Sequence, residues 1–183
     1  MKRTRLHEKY LTAREGIMEE FGLKNVNSAP RIEKVVVNAG LGEMNKSKEF
    51  KAQAIDDLAK ITGQKPAIRQ AKISVASFAV RAGMPVGLKS TLRGERMYSF
   101  LDRVFSIVLP RLRDFKGVST TSFDKAGNYT IGFDEHTVFP EIDLAKSPKP
   151  FGLEMTIVVK NSDPEKSRKL LAGLGLPFTK EEK

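Results

Sequence analysis

Apolar residues recur along this chain with two periods, and the segments where each holds lay out an alternating order of helices and strands. Leu6, Tyr10, Ala13, Ile17 and Phe21 fall at helical spacing and Gly22 ends the run, which predicts an amphipathic first helix. After the Ala29-Pro30 break, Arg31–Ala39 predicts a strand, with Glu33, Val35 and Val37 on one face and Ile32, Lys34, Val36 and Asn38 on the other. Gly40-Leu41-Gly42 predicts a turn. Ser47 can cap a helix running to Ile61, with Ala54, Leu58 and Ile61 inward and Gly63 at its left-handed end. A short strand follows Pro66, then a long connection from Lys72 to Pro85 whose small residues suggest mobility.

Val86–Arg93 alternates cleanly, Val86, Leu88, Ser90 and Leu92 against Lys89, Thr91 and Arg93. Next comes a helix from Glu95 to Leu109, with Met97, Leu101, Val104, Phe105 and Val108 inward and Pro110 as its stop. Gly127-Asn128 predicts a turn into a strand, Tyr129–Phe133. A further short strand is expected around Thr137–Phe139, and Leu153–Val159 reads as another. Asp163-Pro164 opens a last helix carrying Leu170, Leu171 and Leu174. This order predicts an α+β fold, a mostly antiparallel sheet with helices packed on one face and an open face and long loop for a ligand. Residues 1–183 read as one domain, an N-terminal helix and connection over 5–30 leading into a core over 31–179. Pro148 and Pro150 mark a surface connection within that core.

Charge changes the picture most. The chain carries net charge +10, and the stretch from Leu58 to Gly94 contains no acidic residue. Its bases are Lys60, Lys65, Arg69, Lys72, Arg81, Lys89 and Arg93, so most of the excess is concentrated there. Such a field suits a polyanion, most often a phosphate backbone. Lys34 and Asn38 on one strand, with Lys89, Thr91 and Arg93 on another, would offer donors at strand spacing to phosphates and 2′-hydroxyls of RNA. The chain has no cysteine, which removes disulfides and thiolate chemistry and fits a reducing compartment. No apolar run is long enough to span a bilayer, so a cytoplasmic protein without a membrane partner is expected.

Candidate chemistry is sparse. Gly40-Leu-Gly-Glu-Met-Asn45-Lys46-Ser47 follows an apolar strand and precedes a helix, the setting of a P-loop. Asn45, however, stands in place of the second glycine that lets backbone N–H groups wrap phosphates, and Glu43 would put negative charge into the cradle. A nucleotide-binding enzyme is therefore the weaker alternative, and a generic basic RNA chaperone another. His7 and His136 are the only histidines and neither has metal-ligand spacing, so no metal, cofactor or catalytic group is expected. His136, beside Asp134, Glu135 and Glu141, reads as part of a solvated or partner-contacting loop.

Six ordered strings resemble a known family. They are Lys34-Val-Val-Val-Asn38-x-Gly-x-Gly-Glu43, Ile61-Thr-Gly-Gln64-Lys-Pro66 and Gly83-Met-Pro-Val-Gly-Leu-Lys-x-Thr91-Leu-Arg93-Gly-Glu-Arg-Met97. With them come Pro110-Arg-Leu-Arg-Asp-Phe115, Gly127-Asn-Tyr129 with Phe139-Pro-Glu-Ile142, and Leu176-Pro-Phe178. Together, over about residues 5–179, they resemble the bacterial large-subunit ribosomal protein five family. The resemblance implies an α+β sandwich that binds 5S rRNA and helps attach it in the central protuberance, beside large-subunit rRNA and neighbouring central-protuberance proteins. It also implies contact with P-site tRNA through a long loop, and with a small-subunit head protein across an intersubunit bridge.

Carried over by position, the resemblance makes Asn38, Gln64 and Thr91 polar contacts to 5S rRNA, with Lys34, Lys65, Lys89 and Arg93 as phosphate-binding neighbours. The tRNA loop would be Ala71–Gly83, with Lys72, Ser74, Phe78 and Arg81 as its contacts, and Asp134, Glu135 and Glu141 would lie on the bridge side. The chain departs from the family at three points. Ile73 and Ala79 stand where lysine is usual, which removes two potential phosphate contacts from the loop, and Asp134 stands where arginine is common. The linker from Lys146 to Gly152 and the tail from Thr179 also differ from the usual pattern.

Overall fold

A computed structural model of the chain describes residues 4–42, 47–113, 115–143, 147 and 149–179. Five strands, β1 (Arg31–Gly40), β2 (Ala67–Gln70), β3 (Pro85–Leu92), β4 (Tyr129–Phe133) and β5 (Leu153–Lys160), form one sheet in the order β2-β3-β1-β5-β4. The main helices are α1 (Arg5–Glu20), α2 (Lys48–Thr62), α3 (Gly94–Arg103) and, at the end, α5 (Pro164–Leu174), with a single turn α4 (Leu109–Arg111) between the last two. The class is α+β, as the periodicity predicts. β2 and β3 pair antiparallel. Leu41 N donating to Val86 O joins the end of β1 to the start of β3, so that pair is antiparallel too. The chain divides into two compact units. One comprises Met1–Val35, Arg93–Ile131 and Thr156–Lys183, and the other Val36–Leu92 and Gly132–Met155.

In the first unit α1 lies against α3 and α5. Leu6, Tyr10 and Ile17 are its buried stripe, and Leu170, Leu171 and Leu174 are that of α5. Polar ties fix α1 to α3: Glu95 accepts from Thr4 N at 3.0 Å and pairs with His7, His7 stacks on Tyr98 at 4.5 Å, and Arg5 meets Asp102 at 2.7 Å. Asp163 caps α5 as predicted, its carboxylate accepting from Lys166 N at 2.9 Å, with Pro164 in the first turn. A hydrogen bond from the Lys166 ammonium at 2.7 Å, and then that backbone bond, hold the Asp163 pKa below the usual aspartate value.

Pro110 does not stop the third helix. Val104–Val108 form a π turn in which Leu109 N donates to Val104 O, and α4 continues through Pro110 to Arg111. The wider turn shifts the carbonyl register just ahead of the proline, so its missing N–H and its ring are tolerated there. Further on, Phe123, Tyr129 and Phe178 cluster within 4.5–5.9 Å, and a parallel bridge joins Val118 to Phe178. Tyr129 donates its hydroxyl to Ser119 O at 2.6 Å, and burial pushes the phenol pKa up to about 12.

In the second unit α2 covers β3, with Ala54, Leu58 and Ile61 facing Leu88, Ser90 and Leu92 in the buried layer. Ser47 holds the N-cap position but makes no capping bond through its side chain; its backbone carbonyl accepts from Lys51 N instead. Gly63 takes the left-handed C-terminal position at φ +66°. The expected strand at Thr137–Phe139 is a 3-10 turn, His136–Val138. Phe139 N returns to His136 O and Ile142 N to Phe139 O, so the β-branched pair Thr137-Val138 rides on consecutive turns rather than a ladder.

Candidate nucleic-acid interface

The outer face of the β2–β3 ribbon gathers much of the predicted site. The register pairs Ala67 with Lys89, Ile68 with Leu88 and Arg69 with Gly87. Cross-strand partners share a face, so Ala67 and Arg69 stand on the side of Lys89 and Thr91, opposite buried Leu88, Ser90 and Leu92. Lys65 precedes β2 and is exposed, as is every residue of β2. Continued from Leu41 and Val86, the antiparallel β1–β3 ladder sets exposed Asn38 beside Lys89. Gln64 lies 27 positions before Thr91, yet its Nε2 donates to Thr91 O at 3.3 Å. The structure thus brings Asn38, Gln64, Thr91, Lys65 and Lys89 to one polar edge of the second unit. It adds Arg69, which the motif comparison passed over and which the alternation of β2 against β3 identifies.

Two acids qualify the gap seen in the sequence. Lys60 pairs with Asp56 at 2.5 Å and lies 3.7 Å from Asp57, because one helical turn carries it back past the edge of the acid-free window. Its charge is largely answered. Lys34 and Arg93 belong to the first unit, where both act on the carboxyl of Glu33. That carboxyl pairs with Lys160 at 3.2 Å and is held below the usual range, chiefly by that hydrogen bond.

The connection from Ala71 to Gly83 is a built hairpin extension rather than a loose loop. Ala71 N donates to Met84 O and Gly83 N to Ala71 O, and Val75 and Val80 exchange both backbone bonds. A 3-10 turn, Ala76–Phe78, makes the tip, and Ala79 takes φ +51°. Ser74, predicted as a contact, accepts from Ala82 N at 2.9 Å and so braces the loop internally. Lys72 and Arg81 are exposed, while Phe78 at 77 % and Ile73 at 70 % exposure stand out into solvent.

The expected solvated loop at His136 is corrected. Asp134 and Glu135 are exposed and Glu141 is half-buried, but His136 is fully buried, stacked on Phe151 at 3.9 Å. Phe151 N donates to its Nδ1 at 3.2 Å, so the neutral ring carries its proton on Nε2. Nε2 meets Ser147 Oγ at 3.0 Å, and that hydroxyl donates to Asp57 Oδ2 at 2.8 Å. A hydrolytic triad passes protons from serine to histidine. Here the donors run from histidine through serine to aspartate inside the core, so the serine is not activated. Burial lowers the His136 pKa although Asp57 pulls the other way.

Of the P-loop-like string, Glu43–Lys46 lie outside the described residues, as do Lys146, Pro148 and Lys180–Lys183 of the atypical linker and tail. Among the described residues no cluster of three metal-ligating side chains occurs, and no helix is long and apolar enough to cross a membrane.

The fold is thus an α+β sheet whose outer edge presents amides, hydroxyls and bases. The comparisons make the class specific. The family described as "Ribosomal protein L5" matches residues 25–81, and the model of the same ribosomal family's C-terminus matches residues 85–178. "Large ribosomal subunit protein uL5" of Dehalococcoides mccartyi is 50 % identical over 177 residues, covering 97 % of this chain and 99 % of the relative. The protein of the same name from Thermoanaerobacter sp. is 50 % identical over 178 residues, with 97 % and 99 % covered. That from Chloroflexus aggregans is 51 % identical over 175, with 95 % and 97 % covered. The chain belongs to the ribosomal protein L5 family, whose members are structural proteins and not enzymes.

Proposed function

We propose that this chain is a structural constituent of the large ribosomal subunit, working in the cytoplasm as one ribosomal-protein domain, that binds 5S rRNA and helps attach it in the central protuberance. Asn38, Gln64 and Thr91 set the register of the RNA through directed hydrogen bonds. Lys65, Arg69 and Lys89, with Lys34 and Arg93, neutralise phosphates. The Ala71–Gly83 hairpin reaches P-site tRNA through Lys72, Arg81 and the exposed ring of Phe78, and Asp134, Glu135 and Glu141 face a small-subunit head protein. Large-subunit rRNA and neighbouring central-protuberance proteins complete the surroundings.

The observation that carries the reading is the Gln64–Thr91 hydrogen bond on an outward polar edge lined by bases. It joins two of the three polar positions that the family resemblance selects.

The test is competition between labelled 5S rRNA and a length-matched structured RNA at 50 and 200 mM salt. A preference of a hundredfold or more, about 2.7 kcal/mol, that persists at the higher salt is expected. Neutralising about six phosphates should cost roughly a thousandfold in absolute affinity across that range. Equal affinity for both RNAs at both salts would leave only a generic basic surface.

A further inference from the structure

Behind the outward edge sits a buried hydroxyl that the motif comparison does not single out. Thr62 is the last residue of α2 and is 1 % exposed. Its Oγ1 lies 2.7 Å from Leu58 O and 2.9 Å from Gln64 O, so its single proton is shared between those carbonyls. The same oxygen accepts from Gln64 N at 3.3 Å and from Ser90 Oγ at 3.4 Å. A hydroxyl has one donor and two acceptor positions, and all of them are used. Three segments meet at this atom: the backbone of the last turn of α2, that of the Gly63-Gln64 turn, and β3 through the side chain of equally buried Ser90.

The outcome of that junction appears one residue further out. Gly63 reverses the chain at φ +66°, and Gln64 emerges with its amide anchored on Thr91 O. Thr91 is the neighbour of Ser90, so the Thr62–Ser90 hydroxyl pair and the Gln64 bond to the Thr91 carbonyl hold the turn to β3 at adjacent residues. Directed hydrogen bonds to RNA require donors and acceptors held to a fraction of an ångström by locked supporting groups.

We infer that Thr62, assisted by Ser90, is the positioning residue of the RNA face: its hydroxyl locks the Gly63-Gln64 turn to β3 and so fixes Gln64 against Thr91. The inference rests on the RNA-binding reading proposed above. It assigns to Thr62 no contact with RNA. It predicts that losing the hydroxyl damages recognition of the cognate RNA while leaving the phosphate-driven component intact.

Thr62→Val preserves the shape and removes the hydroxyl; Thr62→Ser keeps it. The full chain and its variants would be titrated with 5S rRNA and with an unrelated structured RNA of equal length. Thermal melting would confirm that each variant is folded. Thr62→Val is expected to lose about tenfold or more on 5S rRNA and less than about twofold on the unrelated RNA, with an unchanged salt slope. Thr62→Ser should recover most of the loss. In a cycle with Gln64→Ala, the double variant should bind little worse than either single one, because both remove the same interaction. The Gln64 side-chain amide should also shift in the NMR spectrum of free Thr62→Val, a readout that needs no RNA.

Preference in the wild-type chain with additive losses from Thr62→Val and Gln64→Ala would overturn the inference and leave the RNA reading standing. So would equal losses on both RNAs. No preference in the wild-type chain would remove the RNA reading itself, and this inference with it. Should Thr62→Val fail to fold, Ser90→Ala removes one bond of the junction and carries the same expectations at smaller amplitude.

Discussion

Burial disfavours the charged form of His136, although Asp57 Oδ2, 3.5 Å from Nε2, pulls the other way. Nδ1 is occupied by Phe151 N–H, the ring lies flat on Phe151, and its pKa falls through desolvation. In the unfolded chain the ring titrates near the ordinary value of about 6.5. A depressed native pKa means the unfolded state binds the extra proton first, so stability is fully present above that value and is lost as pH falls below it. Urea titrations between pH 7.5 and pH 5 should show this loss, and His136→Gln should flatten that part of the curve while lowering stability at pH 7.5. A curve of unchanged slope in the variant would mean that other groups set the acid limb. The acidic neighbours of His136 mislead about its place: Asp134 and Glu135 are exposed, while its partners Asp57, Ser147 and Phe151 come from distant or later segments. Strand alternation puts Thr91 on the donor face, whereas Gln64 is singled out only by the family resemblance and Thr62 behind it by neither.

Helix and strand cores were readable where burial follows one period. Leu153, Met155, Ile157 and Val159 all point inward on β5, and Leu170, Leu171 and Leu174 all point inward on α5. The cap of α5 was readable too, unlike that of α2, and it carries a prediction. Asp163→Ala removes the bond to Lys166 N and should cost about 1 kcal/mol by denaturant unfolding. Gly127→Ala should cost about 2 kcal/mol or more. The backbone there sits at φ +78°, and a Cβ would meet Ser167 Oγ at 2.6 Å and Asp163 O at 2.8 Å, so the substitution strains its own turn and presses on the cap of α5. A Gly127 variant no less stable than Asp163→Ala would contradict this account. Illegible elements share a cause: the π turn before Pro110, the 3-10 turn at His136–Val138 and the rungs of the Ala71–Gly83 hairpin are set by backbone hydrogen bonds, which side-chain periodicity does not report.

Taken whole, the molecule shows how a charge pattern in sequence differs from one in space. The acid-free stretch loses Lys60 to Asp56 across one helical turn, while Lys34 and Arg93 share the field of Glu33. What remains on the outer edge separates into two kinds of group. Lys89→Ala should weaken binding to any RNA by a similar factor and reduce the salt slope by about one contact. Asn38→Ala should weaken cognate RNA selectively and leave the slope alone. Filter binding on cognate and random RNA across a salt series separates the two, and equal behaviour of both variants would dissolve the division.

The packing of α1 against α5 also bears on the timing of synthesis. Lys169 of α5 pairs with Glu20 of α1 across 149 positions of chain, and α1 packs on that last helix as well as on α3. At 5–20 residues per second the ribosome takes roughly 7–30 s to span that distance. For that interval α1 can lean on α3, made much earlier, but has no α5 to close its other contact.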